Sequence, residues 1–429
     1  MKLIEYRERD KVEALLKGSQ EVGNKAQEEI VQEILAAVRS RGFEALREYT
    51  RRFDGVDLGE ESVAITEEEL EEAVSSVDEE VLEALKLAIA NVEDYHRKQM
   101  LEGYLEESEQ GIHLGQLIRP LERAGLYVPG GTAAYPSSVI MTAVPAKVAG
   151  VKEIIMISPP DRNGKLNPYT LAAAKLAGVH QIFKAGGAQG IAAMAYGAGP
   201  IPKVDKIVGP GNIYVTIAKK MVYGVVDIDM LAGPSEILVL ADPKAPPRYI
   251  AADLLSQGEH DRLASAILVT TDREYAISVM EEAERQMALL DRVNIARESM
   301  ENNGAVILVE DLMQGLEFAN AYGPEHLELA VDDPEALLPY VKNAGAVFMG
   351  YYTPEPVGDY FAGPNHVLPT NGTSRFYSPL NTHTFLKKTS VISYSREAIR
   401  KYGGYIEKLA EVEGFGAHRN AITVRMKDE

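Results

Sequence analysis

The chain contains no cysteine and no tryptophan among its 429 residues. Without cysteine there can be no disulfide framework, no zinc–thiolate site, no iron–sulfur cluster and no catalytic thiol. If the protein oxidises an aldehyde, it cannot hold that aldehyde as a thiohemiacetal on cysteine. A metal ion would have to be bound by histidine, carboxylate or amide oxygen.

Positive charge is also scarce, because 44 lysines and arginines stand against 64 aspartates and glutamates, a net charge of −20. The sequence pI of about 5.0 argues against nucleic acid and anionic membranes, which bind clusters of basic residues. The first residues lack the apolar core of a signal peptide, and no run of eighteen apolar residues is present. We therefore expect no nucleic-acid or membrane partner, and a cytoplasmic location.

The length predicts roughly two to four folding units, at about 150 residues per domain. The first hundred residues place apolar positions at helical spacing between charged ones, and Thr66 with Glu69 forms a capping-box pattern. We expect these helices to cover another layer of the structure.

Beyond Arg123, short apolar runs alternate with helical patterns. The predicted strands are 153–158, 181–184, 206–208, 266–270, 305–309 and 345–349. The predicted helices are 169–177, 190–196, 213–222, 275–290 and, near the end of the chain, 396–411. Strands that alternate with helices at this spacing predict parallel sheets built from βαβ units.

Three loops are rich in glycine: 127–132 (YVPGGT), 186–190 (GGAQG) and 209–212 (GPGN), and the last two lie between a predicted strand and a predicted helix. Glycine lets the backbone approach a ligand closely, and a helix N-terminus offers free N–H groups to a pyrophosphate. None of the loops is a full G-x-G-x-x-G followed by an acidic residue, so plain tight turns remain an alternative. In the nucleotide-binding interpretation, Tyr127, Gln189 and Asn212 would contact the rings and riboses.

An acid and a base stand side by side in Gly323-Pro324-Glu325-His326, just before an apolar run. A neutral imidazole can take a proton from an alcohol, and a carboxylate can activate a water. The alternative is the start of a helix whose acidic first turn is favoured by the helix dipole.

Further side chains could bind a metal. Gln257 and His260 are three residues apart on a predicted helix, so they would share one face. Asp359 and His366 lie in a predicted loop, and His418 becomes relevant only if it reaches a site, for example on a neighbouring subunit. Gln257, His260, Asp359 and His418 would together suit Zn²⁺, although each histidine alone could simply be solvated.

The chain resembles the histidinol dehydrogenase family from about Ile30 to His418. The similarity is densest in YVPGG (127–131), GGAQ (186–189), VDKIVGPGN (204–212), DMLAGPSE (229–236), DLLSQGEHD (253–261), GPEHLEL (323–329), GDYFAGPNHVLPT (358–370) and EGFGAHRNA (413–421). Each motif alone is weak, but so many in order are specific.

The resemblance implies the oxidation of L-histidinol to L-histidine by two NAD⁺, through L-histidinaldehyde, in the last two steps of histidine biosynthesis. It implies Glu325 and His326 as catalytic residues, with His326 as general base and Glu325 activating water. It implies one Zn²⁺ per subunit, which positions the substrate and is bound by Gln257, His260, Asp359 and His418. The implied substrate-binding residues are Ser235, Gln257, His260, His326, Asp359, His366, Glu413 and His418. The implied NAD-binding residues are Tyr127, Gln189 and Asn212.

The expected fold is α/β, with two Rossmann-like parallel-sheet domains of the aldehyde-dehydrogenase type in an intertwined homodimer. Glu413 and His418 would come from the partner subunit. We predict a helical N-terminal extension (1–25), a discontinuous first domain (26–128 with 236–378), a second domain with the glycine loops (129–235) and a C-terminal extension (379–429).

Two other functional classes remain open from the residues alone. A metal-dependent lyase or hydrolase could use the same nitrogen and oxygen ligands without a nicotinamide, and binding of NAD⁺ would distinguish it. A non-catalytic nucleotide-binding protein would not need the adjacent Glu325 and His326.

Overall fold

The computed structural model describes residues 1–17, 23–130 and 134–427. The strands are β1 (Lys2–Glu5), β2 (Tyr104–Glu109), β3 (Ile112–Pro120), β4 (Arg123–Tyr127), β5 (Glu153–Ser158), β6 (Gln181–Lys184), β7 (Lys206–Val208), β8 (Asp227–Ile228), β9 (Glu236–Ala241), β10 (Ser265–Thr270), β11 (Ala305–Leu308), β12 (His326–Ala330), β13 (Ala346–Met349) and β14 (Leu386–Tyr394).

The α-helices follow in the same chain order. They are α1 (Arg9–Lys17), α2 (Lys25–Arg41), α3 (Phe43–Phe53), α4 (Glu67–Ser75), α5 (Glu79–Arg97), α6 (Pro136–Ala149), α7 (Pro168–Ala177), α8 (Gly187–Tyr196), α9 (Ile213–Val222), α10 (Pro247–Gly258), α11 (Arg273–Met287), α12 (Val293–Asn302), α13 (Leu312–Tyr322), α14 (Pro334–Leu337), α15 (Glu355–Tyr360), α16 (Arg396–Val412) and α17 (Gly416–Met426). Short 3₁₀ turns lie at Leu338–Tyr340, Thr373–Arg375 and Thr382–Phe385.

The described residues form two parallel sheets, which confirms the predicted α/β class. The larger sheet has the order β1-β11-β10-β9-β12-β13, and the smaller has the order β6-β5-β4-β7-β8. Strands β9 and β12 lie in the middle of the larger sheet, where every residue of both is buried. Burial of every residue is typical of parallel strands that are covered on both faces.

The strand predictions at 153–158, 181–184 and 206–208 are confirmed residue for residue by β5, β6 and β7. The capping box of Thr66 and Glu69 is also present: Glu69 N–H donates to the Thr66 hydroxyl, and Thr66 N–H donates to the Glu69 carboxylate. Strand β14 and helix α17 were not predicted, because a polar, exposed strand lacks the apolar alternation on which the prediction rested.

The packing groups the chain differently from the predicted domain boundaries. Residues Lys2–Glu5 are not part of a helical extension, because they form β1 and pair with β11 at the edge of the larger sheet. Helices α2 and α3, which we assigned to the first domain, pack instead on the smaller sheet, where Val31, Leu35 and Leu46 share a core with Ile157 and Ile191. The boundaries themselves stay predictions.

The chain divides into two compact units. The first unit contains both parallel sheets and comprises Met1–Gln99 and Glu122–Phe385. The second comprises Met100–Leu121 and the residues from Leu386 onward, and holds the antiparallel sheet β14-β3-β2 with the paired helices α16 and α17. The predicted C-terminal extension therefore shares its sheet with a hairpin from the first third of the chain. Among the described helices, none is long and apolar enough to span a membrane.

Candidate active site

A cavity of about 3040 Å³ opens in the first unit between the edges of the two parallel sheets. The carboxyl ends of β4, β6 and β7 contribute the glycine-rich loops, as expected for a ligand site on a parallel sheet. The larger sheet contributes the amino ends of β9 and β12, where Glu236 and His326 begin their strands. The predicted site residues that line this cavity are Tyr127, Gln189, Asn212, Ser235, Gln257, His260, Glu325, His326, Asp359 and His366.

Glu325 and His326 are both buried and are held by the backbone of one neighbouring residue. The N–H of Glu236 donates to Oε2 of Glu325 over 2.9 Å. The carbonyl of Glu236 lies 3.0 Å from Nδ1 of His326, so Nδ1 carries the proton that it donates there. His326 Nε2 has no hydrogen-bond partner among the described residues and is left for a ligand.

The Gly-Pro turn before this pair leads into strand β12, so the alternative of a helix start is wrong. A strand places successive side chains on opposite faces, and Glu325 precedes the strand by one residue. The Nδ1 of His326 lies 3.6 Å from Oε2 of Glu325. The predicted adjacency of an acid and a base is therefore preserved in space.

Asp359 faces His326 from the short helix α15, whereas we had predicted a loop at this position. Its Oδ1 lies 3.8 Å from Nε2 of His326 and 4.0 Å from Nδ1 of His366. Glu355 begins the same helix four residues earlier, and the ligand atoms of His326, Glu355 and Asp359 all lie within 4.8 Å of one another. A divalent cation could be bound by these three side chains.

Burial and mutual charge shift the pKa values of this cluster. Burial raises the pKa of Glu325 to about 8, and burial together with the charge of Asp359 raises that of Glu355 to about 8. Burial opposes a proton on His326, but the carboxylates of Glu325, Asp359 and Glu355 outweigh it and raise its pKa to about 10. Burial likewise opposes ionisation of Asp359, yet the imidazoles of His326 and His366 hold its pKa down at about 2. The low pKa of Asp359 keeps this carboxylate ionised, so it can bind a cation.

Gln257 and His260 lie at the end of helix α10, but not on one helical face as predicted. The helix ends at Gly258, and His260 follows it in a turn that is closed by its N–H donating to the Gln257 carbonyl over 3.2 Å. The Gln257 side chain is 1% exposed, and its Oε1 has no hydrogen-bond partner among the described residues. A buried amide oxygen without a partner is costly, so this atom fits a missing ligand.

His366 and Ser235 complete the part of the site that comes from the first unit. The Nδ1 of His366 donates to the backbone carbonyl of Asp359 over 3.1 Å, which leaves Nε2 free to act as an acceptor. Ser235 precedes β9, and its own carbonyl accepts from the N–H of Ser265 over 2.9 Å. Both side chains line the cavity beside the Glu325–His326 pair.

The glycine loops bring the predicted NAD-binding residues to the smaller sheet. The hydroxyl of Tyr127 accepts from the N–H of Gly187 at the start of α8, over 3.2 Å. The buried Gln189 donates from Nε2 to Asp54 over 3.5 Å, and exposed Asn212 caps α9 by accepting from Tyr214 N–H. Residues 131 and 132 of the first loop lie outside the described residues.

Glu413 and His418 do not belong to the first unit, which contains the cavity. Both lie in the second unit, with Glu413 just after α16 and His418 on α17, and both side chains are exposed. His383, to which we assigned no role, lies 2.7 Å from the Gln99 carbonyl through Nε2.

Two residues of the site escaped the sequence analysis. Glu355 could have been found, since it stands four residues before Asp359 and would share its face if a helix had been predicted there. Glu236 had no signal of its own, because it acts through its peptide groups, which every residue possesses.

Comparisons with known proteins identify the family of the chain. A model of the histidinol dehydrogenase family matches residues 18–426. The histidinol dehydrogenase of Heliobacterium mobile is 57% identical over 397 residues, covering 92% of this chain and 93% of that protein. The histidinol dehydrogenase of Syntrophotalea carbinolica is 56% identical over 401 residues, covering 94% of this chain and 93% of that protein.

A solved structure gives the same result. The crystal structure of histidinol dehydrogenase from Elizabethkingia anophelis superposes with a TM-score of 0.94 at 37% identity, covering all of this chain and 98% of the other. Because the family match and the identity both extend over nearly the whole length, the chain belongs to the histidinol dehydrogenase family.

Proposed function

We propose that the protein oxidises L-histidinol to L-histidine with two NAD⁺, through L-histidinaldehyde, in the last two steps of histidine biosynthesis. The observation that carries this proposal is the buried Glu325–His326 pair. Both side chains are hydrogen-bonded to the backbone of Glu236 and lie beside a group of possible metal ligands. The chain offers an acid and a base for two successive oxidations and, lacking cysteine, no thiol for a covalent aldehyde adduct.

Zinc fits the residues that are present. Gln257 offers a neutral amide oxygen, Oε1, that has no hydrogen-bond partner among the described residues. Asp359 offers an anionic oxygen, because its low pKa keeps the carboxylate ionised. His260 lines the same cavity. We propose Gln257, His260, Asp359 and the partner subunit's His418 as the ligands, one Zn²⁺ per subunit, with Glu355 supporting Asp359 from the same helix. When bound, the metal would orient the imidazole and amine of the substrate.

NAD⁺ fits the smaller sheet, where glycine-rich loops meet helix N-termini at the strand carboxyl ends. We propose Tyr127, Gln189 and Asn212 as the residues that bind it. The N–H of Gly187 is turned toward the Tyr127 hydroxyl, which fixes the ring against the start of α8. When bound, NAD⁺ would accept a hydride in each oxidation.

His326 would serve as the general base in both oxidations. Its Nδ1–H is donated to the Glu236 carbonyl, so Nε2 points its lone pair toward the cavity and can take the hydroxyl proton of the alcohol. The neutral imidazole is favoured once the charge of the surrounding carboxylates is balanced, because these carboxylates raise its pKa.

Glu325 would activate the water that hydrates the aldehyde. Its Oε2 is occupied by the N–H of Glu236, so the second oxygen can accept a proton from water. Burial raises its pKa to about 8, close to neutral pH, where a general base works most effectively. The resulting gem-diol then loses a proton to His326 as the second hydride leaves.

We further propose an intertwined homodimer, in which the partner subunit's Glu413 and the partner subunit's His418 reach each site. Ser235 and His366 would contact the substrate from within the chain, since both line the cavity beside His326. A cytoplasmic location also stays a prediction.

The proposal is tested by following NADH absorbance with L-histidinol, NAD⁺ and Zn²⁺. We expect two NADH for each L-histidinol consumed, loss of activity on chelation and recovery with Zn²⁺. A close amino alcohol without the imidazole should be oxidised far more slowly. Release of one NADH together with free aldehyde would refute the coupled scheme, and failure to bind NAD⁺ would favour a lyase or hydrolase.

A further inference from the structure

A fully buried ion pair lies beneath the loop Gly209–Asn212, which we name the cofactor loop. Lys219 on helix α9 contacts Oδ1 of Asp229, just after strand β8, and their side chains are 3% and 1% exposed. The N–H of Met230 also donates to Asp229 Oδ1 over 2.7 Å. Neither charged group has a part in the chemistry proposed above.

The ion pair forms hydrogen bonds with both backbone groups of Gly209, the first residue of the cofactor loop. The N–H of Gly209 donates to Oδ2 of Asp229 over 2.8 Å, and the Gly209 carbonyl accepts from Nζ of Lys219 over 2.9 Å. These groups belong to the two peptides that flank the Cα of Gly209. Fixing both peptides fixes φ and ψ of Gly209 and so the direction in which the loop leaves β7.

Gly209 needs such support because its conformation is unusual. Its φ is +113°, and a Cβ at this position would lie 2.2 Å from the carbonyl oxygen of Tyr127. The backbone at Gly209 therefore packs closely against the strand that carries Tyr127. The loop then continues through Pro210 and Gly211 to Asn212, which lines the cavity.

Stabilisation of the fold does not by itself explain why a buried ion pair lies at this position. A buried ion pair gives little net stabilisation over well-packed apolar residues, because both charges lose their hydration. Apolar side chains here would instead leave the N–H and C=O of Gly209 buried without partners. The charges thus serve to hold one defined loop geometry.

We propose that Lys219 and Asp229 are positioning residues for the dinucleotide, holding the cofactor loop in its binding conformation before NAD⁺ arrives. This inference rests on the proposed NAD site. A preformed loop lowers the ordering cost of binding, so losing the pair should weaken NAD⁺ binding without changing the chemical step.

The test uses two variants of the full-length holoenzyme. Lys219→Met removes the donor but leaves Asp229 buried and unpaired, so it is the less stable choice. The double variant Lys219→Met with Asp229→Asn removes both charges and keeps an acceptor for Gly209 N–H. In the folded double variant we expect the KM for NAD⁺ to rise about tenfold or more, as loss of charge-assisted hydrogen bonds implies. We expect kcat at saturating NAD⁺ and the KM for L-histidinol to stay within about twofold of wild type.

Hydrogen exchange supplies a second readout that does not depend on activity. Peptides covering residues 205–215 should exchange faster in the double variant than in wild type. The control is Lys206→Met, which breaks the pair with Asp227 (2.7 Å) at the other end of β7 and should leave the KM for NAD⁺ unchanged.

The outcomes of these experiments decide whether Lys219 and Asp229 position the cofactor loop. A folded double variant with an unchanged KM for NAD⁺ would overturn the positioning role, as would an equal rise in the Lys206→Met control. Unchanged exchange over 205–215 would overturn it even if the variants proved inactive. If wild type binds no NAD⁺ in a direct titration, the proposed function fails instead, and the exchange experiment still reports on the pair.

Discussion

The backbone N–H of Glu236 donates a 2.9 Å hydrogen bond to the carboxylate of Glu325. Through its carbonyl the same residue also fixes the imidazole of His326. Because Glu236 begins the interior strand β9, the two side chains that we propose as catalytic are both anchored to the same buried strand of the larger sheet. The acid and the base thereby keep their orientation while substrate and product change between two oxidations.

Replacing Glu325 with glutamine should slow the second oxidation more than the first. Glutamine can still accept from Glu236 N–H through its amide oxygen, so the fold should survive, but it cannot take a proton from water. We expect the oxidation of L-histidinaldehyde to slow by about 100-fold or more, the usual loss for a general base, with a smaller effect on L-histidinol. Stopped-flow NADH formation with each substrate measures both steps. Glu335→Gln, at an exposed position of α14, is the control, and equal slowing of both steps would remove Glu325 from this role.

Mixing two inactive variants should restore activity if His418 acts across the dimer. In a heterodimer of His418→Ala and His326→Ala chains, one of the two sites has both histidines intact. Random exchange therefore predicts about a quarter of wild-type activity. Mixing Asp359→Ala with His326→Ala is the control and should stay inactive, since both residues lie in the first unit. No recovery in the first mixture, despite proven subunit exchange, would place His418 in its own chain's site.

Replacing Gln257 with leucine should separate metal binding from stability. The Oε1 of Gln257 has no hydrogen-bond partner among the described residues, so leucine loses no hydrogen bond of that oxygen. Leucine also removes a buried unpaired polar atom, whose burial destabilises the fold by about 1–3 kcal/mol. We expect the metal-free variant to be at least as stable as wild type toward urea, while bound zinc, measured by metal analysis after dialysis, falls sharply. Undiminished zinc in the folded variant would exclude Gln257 as a ligand.

The stability of the protein should depend on pH through Asp54. Burial raises the pKa of this carboxyl from its ordinary 3.8 to about 6, against the hydrogen bond from Gln189. The unfolded chain then loses this proton at lower pH than the folded chain, so Asp54 costs stability progressively as pH rises from about 4 to about 6, and the cost is constant above that.

Asp54→Asn should remove this cost and keep an acceptor for Gln189. We expect the variant to match wild type near pH 4 and to be more stable by about 1 kcal/mol at pH 7, a value reduced because Asp54 is partly exposed. Urea unfolding at a series of pH values measures the difference. A difference that is the same at pH 4 and pH 7 would mean that Asp54 ionises normally in the fold.

Sequence patterns predicted much of the smaller sheet and named most of the side chains that the structure places around the cavity. The apolar run Glu153–Ser158 and its successors were found because a buried parallel strand must be continuously apolar. Gln257, Asp359, Glu325 and His326 could be named because their side chains are of types that bind metals or transfer protons. The end of α10 was missed by two residues, since the C-terminus of a helix depends on packing that the local pattern does not report.

The sequence by itself determined that no thiolate can bind a metal and that no thiol can hold an aldehyde, because the chain contains no cysteine. Tertiary structure alone decided that α2 and α3 cover the smaller sheet, since an apolar helix face does not specify its partner. It also decided that the backbone of Glu236 orients both Glu325 and His326 and that Lys219 and Asp229 hold Gly209. These contacts involve backbone groups that every residue has, so only the folded chain shows which ones are used.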